Sequence, residues 1–228
     1  MSLIAYHGTK VDFDEFVAGT TSIDRMIGPH FSKTPALANH FALRNPGRKG
    51  NGKRTGGRVI RVRLTGSVYT LEQQEYQSIF AGLYSHLTHP ETGGLLGLFV
   101  VDYHVIAYDI GKVVFPERPD LMARLAKVFG HPDAESCLAY VEKSGDWTRA
   151  AQMPMTEHRD LQGDIARAYK DILVARGYGV LQYVNTAKKE QVGDVDDQTC
   201  YIALSTPLPY FDELLCLRAV LQAGPGNR

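Results

Sequence analysis

The sequence predicts an α+β protein built on an antiparallel sheet with a helical insertion, one domain over residues 1–228. Three observations carry that reading. Short strand-like runs crowd the first third of the chain. A helical pattern occupies about residues 116–176. Two further strand-like runs follow it, so strands must pair across long sequence distances rather than in βαβ units.

The first strand is SLIAYHG, Ser2 to Gly8, followed by a loop pinned by Phe13 and Phe16. TSIDRMIGPHF leads to a second short strand ending near Ser32. Thr34 is a good N-cap and Pro35 suits a first helical turn, with Leu37 and Phe41 on one face, so Pro35 to Leu43 reads as a helix. Residues Arg44 to Arg58 form a loop with five glycines, six basic residues and no acid. RVIRVRLTG then alternates, with Ile60, Val62 and Leu64 facing one way and Arg61 and Arg63 the other. SVYTLE extends or follows that strand, and a stretch from Gln73 to Tyr84 reads as helical.

GGLLGLFVVDYHVIAYDIGKVVF is rich in β-branched and aromatic residues and reads as one or two buried strands. DLMARLAKVF and DIARAYKDILVARG place apolar residues three and four apart, as helices do. Gly177 and Gly179 end the last of these and open the strand VLQYVN. TCYIALS is the final strand, and LPYFDELLCLRAVL reads as a terminal helix.

Composition narrows the function classes. Lysine plus arginine equals aspartate plus glutamate at 25 each, so no global charge draws the chain to nucleic acid or an anionic membrane. The cysteines are Cys137, Cys200 and Cys216, far apart and without a C-x-x-C pair, which points to neither a disulfide framework nor a zinc site. No apolar run approaches the about 20 residues that span a bilayer, and no basic and apolar leader is visible. The expected setting is cytoplasmic, or delivery into a target cell without a classical signal peptide. No glycine-rich phosphate loop opens a helix, and no G-x-S-x-G elbow is present.

One constellation carries chemistry. Tyr6-His7-Gly8-Thr9 closes the first strand; Gly28 to Ala42, GPHFSKTPALANHFA, forms a second block; RGYGVLQYVN followed by CYIALSTP forms a third. Together these resemble the ADP-ribosyltransferase family of the His-Tyr-Glu type, closest in flavour to the bacterial and phage branch found in polyvalent proteins and toxins. TGGRVIRVRLTG is similar to that family's central strand. The matching pieces cover about half of the chain, and Pro116 to Arg176 has no counterpart in it.

The resemblance implies a split antiparallel core and NAD as substrate. It implies transfer of ADP-ribose to a protein or nucleic-acid acceptor with release of nicotinamide. The helical insertion would cover the cleft or dock a target or a neutralising protein. In such a site the glycosidic bond to nicotinamide stretches and the ribose gains oxocarbenium character, as in glycoside hydrolysis. By resemblance His7 bonds a ribose hydroxyl, and Gly8 lets the backbone meet the carboxamide. The aromatic wall at His30, Phe31 and Phe41 stacks on the nicotinamide, with Thr9 and Ser32 at the ligand. His30 stands where the family has its tyrosine. Cys200 stands where the family has its glutamate, and a neutral thiol is a poor substitute for a carboxylate. Gln198, two residues earlier on the same strand face, is the favoured replacement, with Asp197 the charged alternative; Asp196 and Glu190 lie further back.

Other candidates read as structure. The basic loop from Arg44 suits a pyrophosphate or an anionic target, but a solvated surface loop is the default. His86, His89, Glu91 and His104 do not make a convincing metal set, and none is assigned. Thr34 caps a helix, Tyr183 and Tyr201 pack in the core, and Cys137 is a buried helix residue. A second reading follows from the missing glutamate: a binding module for NAD, ADP-ribose or nucleic acid on the same fold. A third uses the basic loop as a nucleic-acid clamp.

Overall fold

A computed structural model describes residues 2–11, 13, 15–20, 22–44, 54–71, 104–128, 132, 133, 135, 136, 155–185 and 197–205. It is an α+β structure with a six-stranded sheet. The elements are β1 (Ser2–Val11), α1 (Ile23–Ile27), β2 (His30–Ser32), α2 (Pro35–Arg44), β3 (Arg54–Thr65), β4 (Ser67–Thr70), α3 (His104–Glu117), α4 (Pro119–Val128), α5 (Met155–Ala175), β5 (Tyr178–Val184) and β6 (Thr199–Ala203). The chain divides into two compact units. One comprises Met1–Val17, Pro29–Tyr69 and Gly179–Arg228; the other comprises Ala18–Gly28 and Thr70–Tyr178.

The first unit holds the sheet, in the order β3-β1-β2-β6-β5-β4. β1 pairs antiparallel with β3 from Ser2↔Thr65 to Val11↔Arg54. β2 pairs with β6, and β5 with β6, also antiparallel. The join between β1 and β2 is slight: its one register pair is Tyr6↔Ser32.

Alternation decides the faces. Ile60, Val62 and Leu64 are each at most 4% exposed and join Ala5, Phe16, Phe31, Val180, Tyr201 and Ala203 in one apolar cluster. Burying each of the valine, leucine, isoleucine and phenylalanine side chains among them contributes about 1.5–3 kcal/mol. Tyr183, at 1%, and Tyr201 are core residues, as the sequence implied.

The opposite face of β1 carries α2. Thr34 caps that helix, its Oγ1 accepting from Leu37 N–H at 3.2 Å, and Pro35 is the first helical residue. α2 approaches so closely that a Cβ at Gly8 would fall on the Ala38 carbonyl oxygen, with Ala38 C and Ala42 N at 2.8 Å. Glycine is therefore dictated at position 8 by helix–sheet packing. Gly66, at φ 107°, turns β3 into β4 where a Cβ would lie 2.8 Å from Gly179 Cα.

The described residues of the second unit are mostly helical. α4 buries Leu121, Met122, Leu125, Ala126 and Val128, and α5 buries Leu161, Ile165, Tyr169 and Leu173 at three- and four-residue spacing. Tyr169 donates its hydroxyl proton to Asp109 Oδ2 at 2.6 Å, pinning α5 to α3 inside the core. Arg124 and Asp164 join α4 to α5 at 2.7 Å.

Three expectations need correcting. His104 to Glu117 is helix, not strand: Ile106, Ile110, Val113 and Val114 share a buried stripe, and packing of that stripe overrides β-propensity. The helical region thus begins by His104, ahead of the expected start near residue 116. Arg54 to Arg58 belongs to β3 rather than to the basic loop, because β1 extends to Val11 and pairs with it. A helical turn at Ile23–Ile27 precedes the three-residue β2. The expected helices at 73–84 and near the C-terminus, the bulk of the basic loop, Cys137, and His86, His89 and Glu91 lie outside the described residues. Among the described residues no helix is long and apolar enough to cross a membrane, and no His, Cys, Asp or Glu group is arranged to hold a metal.

Candidate functional site

The site forms where β1 and β2 part. Beyond Tyr6↔Ser32 the two strands record no further register pair, and the His7 side chain bridges the gap. Its Nδ1 lies 2.8 Å from the His30 carbonyl oxygen. A carbonyl only accepts, so Nδ1 carries the proton and Nε2 is left with a lone pair in the neutral ring.

The ring stays neutral for a physical reason. It meets Phe13, Phe16 and Phe31 edge-on, with centroids at 5.9, 5.0 and 5.8 Å. Desolvation among these rings holds the His7 pKa down to about 4 from the ordinary 6.5, and His30 and Arg58 push the same way against the carbonyl bond. His7 is thus a fixed hydrogen-bond acceptor at neutral pH. Phe13 and Phe16 fix its orientation, and Phe16 is itself packed on Phe31 at 4.9 Å. The Arg58 guanidinium lies over the Phe13 ring, its Cζ 5.9 Å from the ring centre. Thr9 lies opposite Arg58 across the β1–β3 ladder.

The pleat sorts the candidate residues onto two faces. Phe31 lies with His7 and the apolar cluster, so its neighbour His30 projects to the other face. There His30 Nδ1 is 2.8 Å from the Tyr183 hydroxyl, and the two rings meet at 81°. Ser32, at 3% exposure, and Cys200, at 2%, are opposite one another on that same face, and Cys200 is also opposite Tyr183. Gly8 faces α2, which also carries the half-buried Phe41 beside His40. The structure therefore brings together His7, Thr9 and Phe31. It sets His30, Ser32 and Cys200 across the sheet from them, with the His30 carbonyl as the link.

Asp197 and Gln198 precede β6. Asp197 Oδ2 pairs with Lys33 Nζ at 2.8 Å, and its Oδ1 accepts from Thr199 N–H at 2.9 Å. The Lys33 hydrogen bond, then the Thr199 bond, hold its pKa down to about 2, and Lys33 is raised in turn. Both charges act on the Tyr201 hydroxyl, which places the pair beside the Phe31–Tyr201 side of the sheet. Gln198 is anchored by its carbonyl, which accepts from Asn185 N–H at 2.9 Å. Of Asp197 and Gln198, Asp197 is the one that supplies an ionised carboxylate.

Lys33 and the Tyr183 partner of His30 carry no mark in the sequence, where Arg58 is one of six basic residues of a glycine-rich stretch. No local signal marks the first two, since His30 and Tyr183 are far apart in sequence and both read as strand residues. No protein-family model, characterised protein or solved structure gives a significant match to this chain.

Proposed function

We propose that the protein is an NAD-dependent mono-ADP-ribosyltransferase, transferring ADP-ribose to a protein or nucleic-acid acceptor with release of nicotinamide, on an ADP-ribosyltransferase-like split sheet. The observation that carries this reading is His7. It stands at the gap between β1 and β2, neutral, with Nδ1 committed to the His30 carbonyl and Nε2 left as an acceptor. A ribose hydroxyl donates to such a nitrogen without a proton having to move. Phe13, Phe16 and Phe31 provide an apolar wall that strengthens charge interactions beside it.

In this reaction the bond between the ribose C1′ and the nicotinamide nitrogen breaks, and its electron pair leaves with neutral nicotinamide. The acceptor nucleophile bonds to C1′ and its proton goes to solvent. Asp197 is held ionised by Lys33, which offsets its charge; with a pKa of about 2 it is too weak a base to take that proton. His30 serves through its backbone carbonyl, which fixes the His7 tautomer. The helical unit offers a surface for a target or neutralising protein. The setting that suits this reading is a bacterial or phage toxin or effector, acting in the cytoplasm or delivered into a target cell.

A second reading is favoured by one observation. Cys200 occupies the position where the resemblance places a glutamate, and it is a buried thiol there. A cleft of this kind binds NAD or ADP-ribose without cleaving it. Incubation with adenylate-labelled NAD and a cell lysate separates the two. Label on a macromolecule and free nicotinamide, both lost in His7→Ala, are expected for the transferase. Bound NAD without nicotinamide release would sink it in favour of the binding module.

A further inference from the structure

We propose that the irregular end of the β1–β3 ladder is a phosphate-binding subsite beside His7. Arg58 is its principal ligand, taking the pyrophosphate of the nucleotide whose ribose His7 contacts. This rests on the reading of the His7 site just given. The ladder runs in step to Thr9↔Arg58 and then resumes at Val11↔Arg54, so β3 spends two more residues than β1 over that interval. The intervening residues on β3 are Thr55, Gly56 and Gly57. Bulges of this kind re-aim side chains and gather at functional sites.

Arg58 is the register partner that follows the irregularity, two residues before Ile60, which is itself opposite His7. By alternation Arg58 projects to the face of His7 and the phenylalanines. Its guanidinium position over Phe13, whose ring in turn meets His7, puts a fixed cation next to the sugar-binding nitrogen. The planar guanidinium fork matches phosphate oxygens two at a time, and Thr9 across the ladder adds a hydroxyl donor. β3 and the segment leading into it carry basic residues without acidic ones. From Ala42 to Leu71 the sequence holds no aspartate or glutamate, although the whole chain is neutral.

Calorimetric titration of the full chain with NAD and with nicotinamide riboside tests this. The second ligand keeps the nicotinamide and its ribose and lacks the phosphates and the adenosine; the dependence on added salt separates the two losses. Arg58→Gln is expected to weaken NAD binding by about tenfold to a hundredfold. It should leave nicotinamide riboside within about twofold, which also shows that the variant is folded. Arg58→Lys should recover part of the NAD affinity, and added salt should weaken NAD more for the wild type than for Arg58→Gln. Unchanged NAD affinity in Arg58→Gln, or equal loss of both ligands, would overturn the phosphate subsite. Nicotinamide riboside bound as tightly as NAD by the wild type would also overturn it while leaving the His7 reading intact. A wild-type chain that binds neither ligand overturns both.

Discussion

Acidification should unfold this protein partly through one residue. The folded state holds the His7 pKa near 4, against 6.5 for the ordinary side chain. Below pH 6.5 the unfolded chain therefore takes up a proton at His7 that the folded chain refuses, so stability falls as pH falls through the window from 6.5 to about 4. Between pH 7 and pH 4.5 that difference amounts to about 2–3 kcal/mol, at about 1.4 kcal/mol per pH unit. The perturbation is His7→Asn, whose amide N–H replaces Nδ1–H toward the His30 carbonyl and does not titrate. Urea unfolding of wild type and variant at both pH values gives the stabilities by linear extrapolation. The variant is expected to lose about 2–3 kcal/mol less than the wild type on acidification, whatever the other histidines contribute to both. Equal losses, or a His7 ring that titrates near 6.5 by NMR, would refute the desolvated, neutral imidazole.

Three further outcomes follow from the packing. Gly8→Ala should cost several kcal/mol, on the order of an overpacked core, because the added methyl meets the α2 backbone at Ala38; a melting temperature within about 2 °C of wild type would show that α2 does not press on β1. Tyr169→Phe should cost about 1–3 kcal/mol by leaving Asp109 in the helical core without that donor, read by urea unfolding, and a neutral result would mean the bond is not formed in solution. Thr34→Ala should cost about 1 kcal/mol through the lost cap of α2 and fray its first turn, visible as faster amide exchange at Leu37; unaltered exchange there would contradict the cap.

Much of the sheet was legible because its signals are local. The alternation of Ile60, Val62 and Leu64 against Arg61 and Arg63 needs nothing beyond β3 itself, and Thr34-Pro35 announces α2 with backbone chemistry alone. α3 was not legible. Its run of valine, isoleucine and tyrosine suits a strand, and only the partner helices that bury Ile106 and Ile110, and the Tyr169 hydroxyl that meets Asp109, make it a helix. Gly8 was noticed for a different reason than the one the structure supplies: α2 needs the space its side chain would fill.

The site divides the same way. His7 was visible as a polar residue ending an apolar strand. Its tautomer depends on a carbonyl 23 residues away, and its low pKa on phenylalanines brought in from the loop and from β2. The separation of His30 from His7 follows from the pleat once Phe31 is known to face the core, but sequence alone does not say which of the two neighbours turns inward. Strand parity favours Gln198 over Asp197 in the sequence, and nothing local shows that Lys33, from the far side of the β2–β6 ladder, pairs with the aspartate.

The most direct test of the central claim is the nitrogen NMR spectrum of the His7 ring, recorded on the full chain as NAD is added. The ring is expected to be neutral and protonated at Nδ1, with the unprotonated Nε2 resonance moving on NAD addition as it accepts a ribose hydroxyl and Nδ1 staying bonded to the His30 carbonyl. An Nε2 resonance that does not respond to NAD, or a ring already protonated at Nε2 without ligand, would contradict it.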